Sequence, residues 1–395
     1  MNSKNLIPFS KVIIGESERK YLNEVLESGW LTTASKALEL EKKFAEYVGS
    51  KYACSVNSGT AALHLGVEAL GVRPGEKVFV PSMTFTATAE IVRYMRADPV
   101  FLDTEYASNL ISPDILLEAI QNYPGVKYLI IVHYGGQAAD MPSILKICNE
   151  NNIKIIEDAA HAFPSKRNGK MVGSFGDVTC FSFYANKTIT TGEGGMLVTD
   201  NEDIYKRVKI MRLHGINRDI WNRFTANVPS WEYDVVEAGY KYNMPDINAA
   251  IGLGQLEQAE TFRKERQKVV EYYYKNLARL EWIDLPMCQV PFEDHAWHLF
   301  PIVLKKNAKI SRNKFIELLS EAGIGTSVHY KPLHQMTYYK QKYNLKSEYY
   351  PNAELTWRGN VSLPLYPFMN NEDLCYICET IENILKQTKI DKTLQ

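Results

Sequence analysis

The chain has 395 residues, 45% of them hydrophobic and 23% charged, with a net charge of -1. That length holds two unequal domains or one large domain with an appendage. The near-neutral balance gives no electrostatic basis for binding nucleic acid or an acidic membrane surface. No run approaches the ~20 apolar residues that a membrane span needs. The opening segment Met1–Ser10 has neither the basic start nor the apolar core of a secretory signal. Of the six scattered cysteines only Cys375 and Cys378 form a CxxC, without the second pair or nearby histidines of a zinc site. They read as structural thiols in a reducing cytoplasm, and no metal is expected.

In chain order, helical spacing occupies Glu18–Glu27 and Lys36–Val48, Tyr52–Val56 reads as a strand, and Thr60–Leu70 as a helix. Further strands are expected at Lys77–Val80, Val100–Asp103, Tyr128–His133, Lys154–Glu157, Thr179–Phe183 and Met196–Thr199. The first six recur at roughly 20–30 residues, the length of a strand plus a crossover helix, which predicts a mostly parallel sheet covered by helices. The last interval is short and suits a tightly connected, antiparallel seventh strand. A long helix then spans Asp246–Leu280, followed by a strand at Phe300–Leu304, a helix at Ser311–Glu321, a strand around Gly325–His329 and a helical stretch at Asp373–Leu385. The expected fold is α/β: a large domain over residues 1–250 with a seven-stranded, mostly parallel sheet, and a smaller α+β domain over residues 251–395.

Four blocks carry chemistry. Asn57-Ser58-Gly59-Thr60-Ala61-Ala62 follows a strand and opens a helix. Backbone N–H groups at such a helix start donate to a phosphate, although the same residues serve as an ordinary Ser/Thr cap. Ile155-Ile156-Glu157-Asp158-Ala159-Ala160-His161 runs from apolar residues into an acidic pair at a strand's C-terminal end, the edge where open α/β sheets bind ligands. A carboxylate there keeps a nearby ring nitrogen protonated; an opposite charge shifts a pKa by about 1–3 units. Asp158 also suits a helix N-cap, and His161 a structural histidine.

The third block, Phe181 to Gly195, ends a strand in a hydroxyl and then sets Lys187 among small polar and aromatic residues before a glycine-rich turn. A loop lysine is usually solvated, but partial burial lowers its pKa and frees the amine for Schiff-base chemistry. The fourth, Tyr240 to Ala250, carries Pro245 and Asp246 as ordinary helix-start signals.

At these residues the chain resembles the DegT/DnrJ/EryC1/StrS family of sugar aminotransferases, fold-type-I enzymes that use pyridoxal 5'-phosphate (PLP). The resemblance runs from Trp30-Leu31-Thr32 to Tyr330-Lys331-Pro332-Leu333-His334 and is most specific in EDAAHA (from Glu157) and FSFYANKTITTGEGGM (from Phe181). It implies that Lys187 holds the cofactor aldehyde as a Schiff base and that Asp158 pairs with the pyridine nitrogen. His161 would lie by the 3-hydroxyl, Gly59, Thr60 and Ser182 at the phosphate, and Phe85 against the ring. Asn243 would serve the phosphate site of a neighbouring subunit, which implies a homodimer with shared active sites.

The implied reaction has two halves, with glutamate as the expected amino donor. It leaves the cofactor as pyridoxamine 5'-phosphate, and a nucleotide-linked keto-sugar then takes the amine. Ser327 to His334 is similar to the family's nucleotide-sugar region, where His329, Tyr330 and Lys331 would meet a diphosphate. With the Tyr240 block it resembles members acting at C4 of a 4-keto-6-deoxy sugar rather than at C3. Relatives that dehydrate carry histidine at the Lys187 position. A silent PLP-binding sensor of this fold is a further alternative, disfavoured by the complete set Asp158, Ser182 and Lys187. A Rossmann dehydrogenase would need a GxGxxG that NSGTAA does not supply. Two stretches depart from the family pattern: Thr33-Ala34-Ser35, where Thr-Gly is usual, and Phe163 to Arg167, whose Lys166 and Arg167 read as a solvated pair or an extra anion contact.

Overall fold

The computed structural model describes residues 6–217 and 233–387. Met1–Asn5 of the opening segment, residues 218–232 of the expected large domain and residues 388–395 of the expected small one lie outside the described residues.

The apolar runs of the first half form strands β1 (Tyr52–Val56), β2 (Lys77–Pro81), β3 (Asp98–Leu102), β4 (Tyr128–Val132), β5 (Lys154–Asp158), β8 (Val178–Ser182) and β9 (Gly195–Thr199), with a small hairpin β6 (Lys166–Arg167) and β7 (Lys170–Met171) between the fifth and sixth. The seven longer strands make one sheet in the order β1-β9-β8-β5-β4-β2-β3. Every pairing from β8 to β3 is parallel, and β9 alone runs antiparallel, against both β8 and β1. Leu129, Ile130 and Ile131 are fully buried. Helices cover both faces of such a sheet, so its strands read as continuous apolar runs rather than as alternation.

Helix α1 (Glu16–Ser28) packs on the long helix that begins at Asp246, and the covering helices include α2 (Ser35–Val48), α3 (Gly59–Ala69), α4 (Ala87–Tyr94), α5 (Pro113–Asn122), α6 (Met141–Glu150) and α7 (Glu202–Met211). The long helix α8 (Asp246–Leu277) serves two cores. Its first half packs Ala249, Leu253, Ala259 and Phe262 with Leu40 and Phe44 of α2. Its second half gives Val269, Tyr273 and Leu277 to a cluster around β10 (Ile283–Asp284), β11 (Phe300–Leu304), β12 (Asn360–Leu363), α9 (Arg312–Glu321) and, farther on, α12 (Asn371–Gln387). Between them α10 (Thr337–Tyr343) and α11 (Pro351–Gly359) return Tyr339 and Ala353 to the core of the large sheet.

Two local readings need revision. Gly325–His329 is not a strand: Gly325 N–H bonds to Ile7 O at 2.8 Å, whereas Ser327 exchanges bonds with Ser362, so two different partners leave no ladder to propagate. Asp246 does more than open α8. Its carboxylate accepts the N–H groups of Ala34 (2.7 Å), Lys36 (3.0 Å) and Ala37 (3.0 Å) and so caps α2. Cys375 and Cys378 lie on α12 as free thiols, the first only partly buried.

Candidate active site

A cavity of about 380 Å³ opens at the C-terminal ends of β5 and β8, between the loops that follow β1 and β2. Its floor begins at the start of α3. Ser58 Oγ accepts the N–H of Ala61 at 3.0 Å, and Ser58 O that of Ala62 at 3.1 Å. The N–H groups of Gly59 and Thr60, both lining residues, find no acceptor among the described residues. A Cβ on Gly59 would lie 2.8 Å from Ser182 Cβ, so only glycine lets the β8 hydroxyl and the α3 amides converge. Free donors at a helix N-terminus beside two hydroxyls form a cradle for a phosphate.

Neighbouring positions on a strand point to opposite faces. Glu157 turns away from the cavity and is fully buried; it takes bonds from His133 Nε2 (2.8 Å), Thr179 Oγ1 (2.6 Å) and Gly176 N (2.7 Å). Burial alone would raise its pKa, but these donors outweigh it and hold the carboxyl below its ordinary value. Ala139 N–H donates to His133 Nδ1 at 3.1 Å, so the ring's proton sits on Nε2 and is given to Glu157. Asp158 instead faces the cavity. Thr88 Oγ1 donates to its Oδ2 at 2.7 Å and Ala160 N to its Oδ1 at 3.1 Å, yet burial still raises its pKa. A cation in the cavity would lower it again.

Lys187 sits in the loop between β8 and β9, which its threonines tie down: Thr190 Oγ1 and Thr191 N both bond to Phe183 O at 3.0 Å, and Thr188 Oγ1 bonds to Phe163 O. Gly192 turns the chain at φ 80°. Burial lowers the Lys187 amine to about 8, against a partial opposing pull from Asp158. Around it His161 and His298, with ring centroids 4.5 Å apart, are held well below the ordinary histidine pKa, first by burial and then by neighbouring cations. His329 falls to about 4 for the same reasons. These rings are neutral at pH 7, which leaves Lys187, Asp158 and Glu193 as the amine and carboxyl groups lining the cavity.

The cavity gathers Gly59, Thr60, Phe85, Asp158, His161, Ser182, Lys187, His329 and Tyr330 from the residues singled out in the sequence. Lys331 is exposed and does not line it. Nor does Asn243, whose Nδ2 donates to Thr33 Oγ1 at 2.6 Å while Lys241 Nζ bonds to its Oδ1. Thr33, which precedes the divergent Ala34, thus holds Asn243 in place and also donates to Met244 O at 2.6 Å. Arg167 pairs with Asp140 at 3.4 Å and with Gln289 O at 3.3 Å, away from the cavity. Tyr184, Asn186 and Glu193, within the quoted lysine block, also line it. Asn186 Oδ1 is buried without a partner among the described residues. Nothing but their nearness to Lys187 marks these residues out along the chain.

The donor set fits PLP: a phosphate cradle, an acid for the ring nitrogen, and an amine low enough in pKa to form an imine, all on one cavity. Fold and site together define a PLP-dependent transferase of fold type I. The sequence model of the DegT/DnrJ/EryC1/StrS aminotransferase family matches residues 12–382, and the chain belongs to that family. It is 41% identical over 390 residues to an uncharacterized protein of Methanocaldococcus jannaschii, covering 98% of this chain and 100% of that one. It is 39% identical over 384 residues to the spore coat polysaccharide biosynthesis protein SpsC of Bacillus subtilis, covering 97% and 98%. Among solved structures, Spr1654 of Streptococcus pneumoniae, named a putative sugar aminotransferase and solved in its pyridoxamine-phosphate form, aligns with TM-score 0.89 at 32% identity over 96% of this chain and 99% of that one. PseC of Helicobacter pylori, an aminotransferase of pseudoaminic acid biosynthesis, aligns with TM-score 0.90 at 26% identity over 97% and 100%. The protein is accordingly a PLP-dependent sugar aminotransferase. Among the described residues no helix is long and apolar enough to cross a membrane.

Proposed function

We propose that the protein moves an amino group from glutamate to the keto carbon of a nucleotide-linked 4-keto-6-deoxy sugar, as a cytoplasmic homodimer with shared active sites. The observation that carries the reading is one cavity bounded by both the Lys187 amine and the Asp158 carboxylate. PLP, when bound, supplies the electron sink. Lys187 would hold its aldehyde and, once displaced by the donor, carry a proton between substrate carbon and cofactor. Asp158 would keep the ring nitrogen protonated; at about 1.4 kcal/mol per pKa unit, a pairing of 1–3 units is worth roughly 1.4–4 kcal/mol. Gly59, Thr60 and Ser182 would hold the phosphate, with Phe85 and His161 beside the ring.

The sugar reading is supported by the family's nucleotide-sugar segment, of which His329 and Tyr330 reach the cavity and Lys331 stands exposed beyond it. The dimer reading rests on Asn243, adjacent to the β1 end through its bridge to Val56, and on exposed apolar side chains such as Leu31, Phe85, Val235 and Val236. Residues 1–250 would then form the cofactor-binding domain and residues 251–395 the smaller one. Lys187→Ala is the test: amino transfer and the cofactor's visible absorbance should both vanish. Full activity in that variant would remove Lys187 from the chemistry.

A further inference from the structure

Tyr330 enters the cavity from a segment far along the chain, and its hydroxyl lies 2.9 Å from His161 Nε2. That contact has two possible proton arrangements, and the far side of the imidazole selects one. Gly135 N–H donates to His161 Nδ1 at 3.3 Å, so Nδ1 presents a lone pair. His161 is buried against His298 and near Lys187, surroundings that oppose a second ring proton. A neutral imidazole that accepts at Nδ1 carries its hydrogen on Nε2. Nε2–H therefore donates to Tyr330 Oη, and the phenolic proton must point elsewhere. Among the described residues no acceptor takes it. The Tyr134 hydroxyl gives its own proton to His329 O. Phe85, Tyr134 and His161 pack about the Tyr330 ring, at centroid distances of 5.8, 6.5 and 5.9 Å, and hold it in place.

We infer that Tyr330 aims its phenolic proton into the cavity as the hydrogen-bond donor for the carbonyl oxygen of the keto substrate, and that His161 is the positioning residue that fixes the direction of that proton. The inference rests on the reading under Proposed function and deepens it. When an amine adds to a ketone, the nitrogen lone pair forms the C–N bond and the C=O pair moves onto oxygen. That oxygen leaves as water, with both of its protons drawn from the nitrogen. Negative charge on oxygen peaks between these events, and a fixed donor acts most strongly there. Tyr330 is suited to donating without being consumed, because burial keeps its phenol protonated.

The test is Tyr330→Phe, which deletes the donor and keeps the ring. Amino transfer to the keto-sugar should fall about 100-fold in kcat, the scale of losing one such donor, with KM changed less than about threefold. Cofactor affinity and the pH midpoint of the cofactor's visible absorbance should be unchanged, which also shows that the variant folds. His161→Phe should lower kcat by a smaller factor, since the phenol keeps its proton and loses only its orientation. An unchanged kcat in Tyr330→Phe overturns the inference while the function stands. A shift of the absorbance midpoint by a pH unit or more would mean that the proton serves the cofactor instead, and also overturns it. A wild-type enzyme that aminates no keto-sugar overturns the reading and the inference together.

Discussion

Burial of the Lys187 amine has consequences that can be measured without substrate. With a pKa of about 8, roughly a quarter of the amines are free at pH 7.5, against about one in a thousand for an ordinary lysine. The drop from 10.5 to about 8 corresponds to at most about 3 kcal/mol, because the amine retains some contact with solvent. The folded pKa lies below the unfolded one. Between pH 8 and 10.5 the unfolded chain therefore holds a proton that the folded chain has released, and stability rises with pH. Below pH 8 the penalty is present in full. Replacing Lys187 by Met removes the charge and keeps the length of the side chain. Chemical denaturation of the cofactor-free proteins should find Lys187→Met more stable than wild type at pH 7 by up to about 3 kcal/mol, with the gap closing by pH 10.5. Modification of Lys187 by an amine-selective reagent, followed by peptide mass, should titrate with a midpoint near 8. A Met variant no more stable than wild type at pH 7, together with a modification rate still climbing at pH 10, would refute the reasoning.

Gly59→Ala should weaken PLP binding at least tenfold in a dialysis and absorbance assay, because its Cβ would fall 2.8 Å from Ser182 Cβ. Glu157→Gln sets an amide NH₂ against at least one of three donors, and denaturation should find it destabilised by about 2–4 kcal/mol; a loss under about 0.5 kcal/mol would mean that the carboxylate is dispensable. Asn243→Ala should speed loss of PLP on dialysis if the residue serves a neighbouring subunit, and sedimentation should show a dimer. Unchanged cofactor retention would count against the shared site.

Much of the fold was legible because a buried parallel sheet leaves an unambiguous trace. Runs such as Tyr128–Val132 are apolar throughout, and their spacing leaves room for one helix between strands. The antiparallel β9 was legible in its short connection, the loop that carries Lys187. The site was legible where its residues lie in contiguous blocks, as with Asp158, Ser182 and Lys187. It was less so where contacts join distant segments. The Tyr330–His161 bond spans 169 residues, and the Asp246 carboxylate caps a helix about 210 residues earlier. No local pattern encodes either. Gly325–His329 misled because its composition suits a strand while its backbone bonds go to two separate partners and build no ladder.

The most direct test of amino transfer to a nucleotide-linked 4-keto-sugar is a product assay. Purified protein with PLP and glutamate would be given UDP-, GDP- and dTDP-linked 4-keto-6-deoxy and 3-keto sugars, and the products read by mass. The account predicts that a 4-keto sugar exchanges its oxygen for an amino group while 2-ketoglutarate accumulates in equal amount. Amination of the 3-keto sugars alone, or of none of the panel, would contradict it.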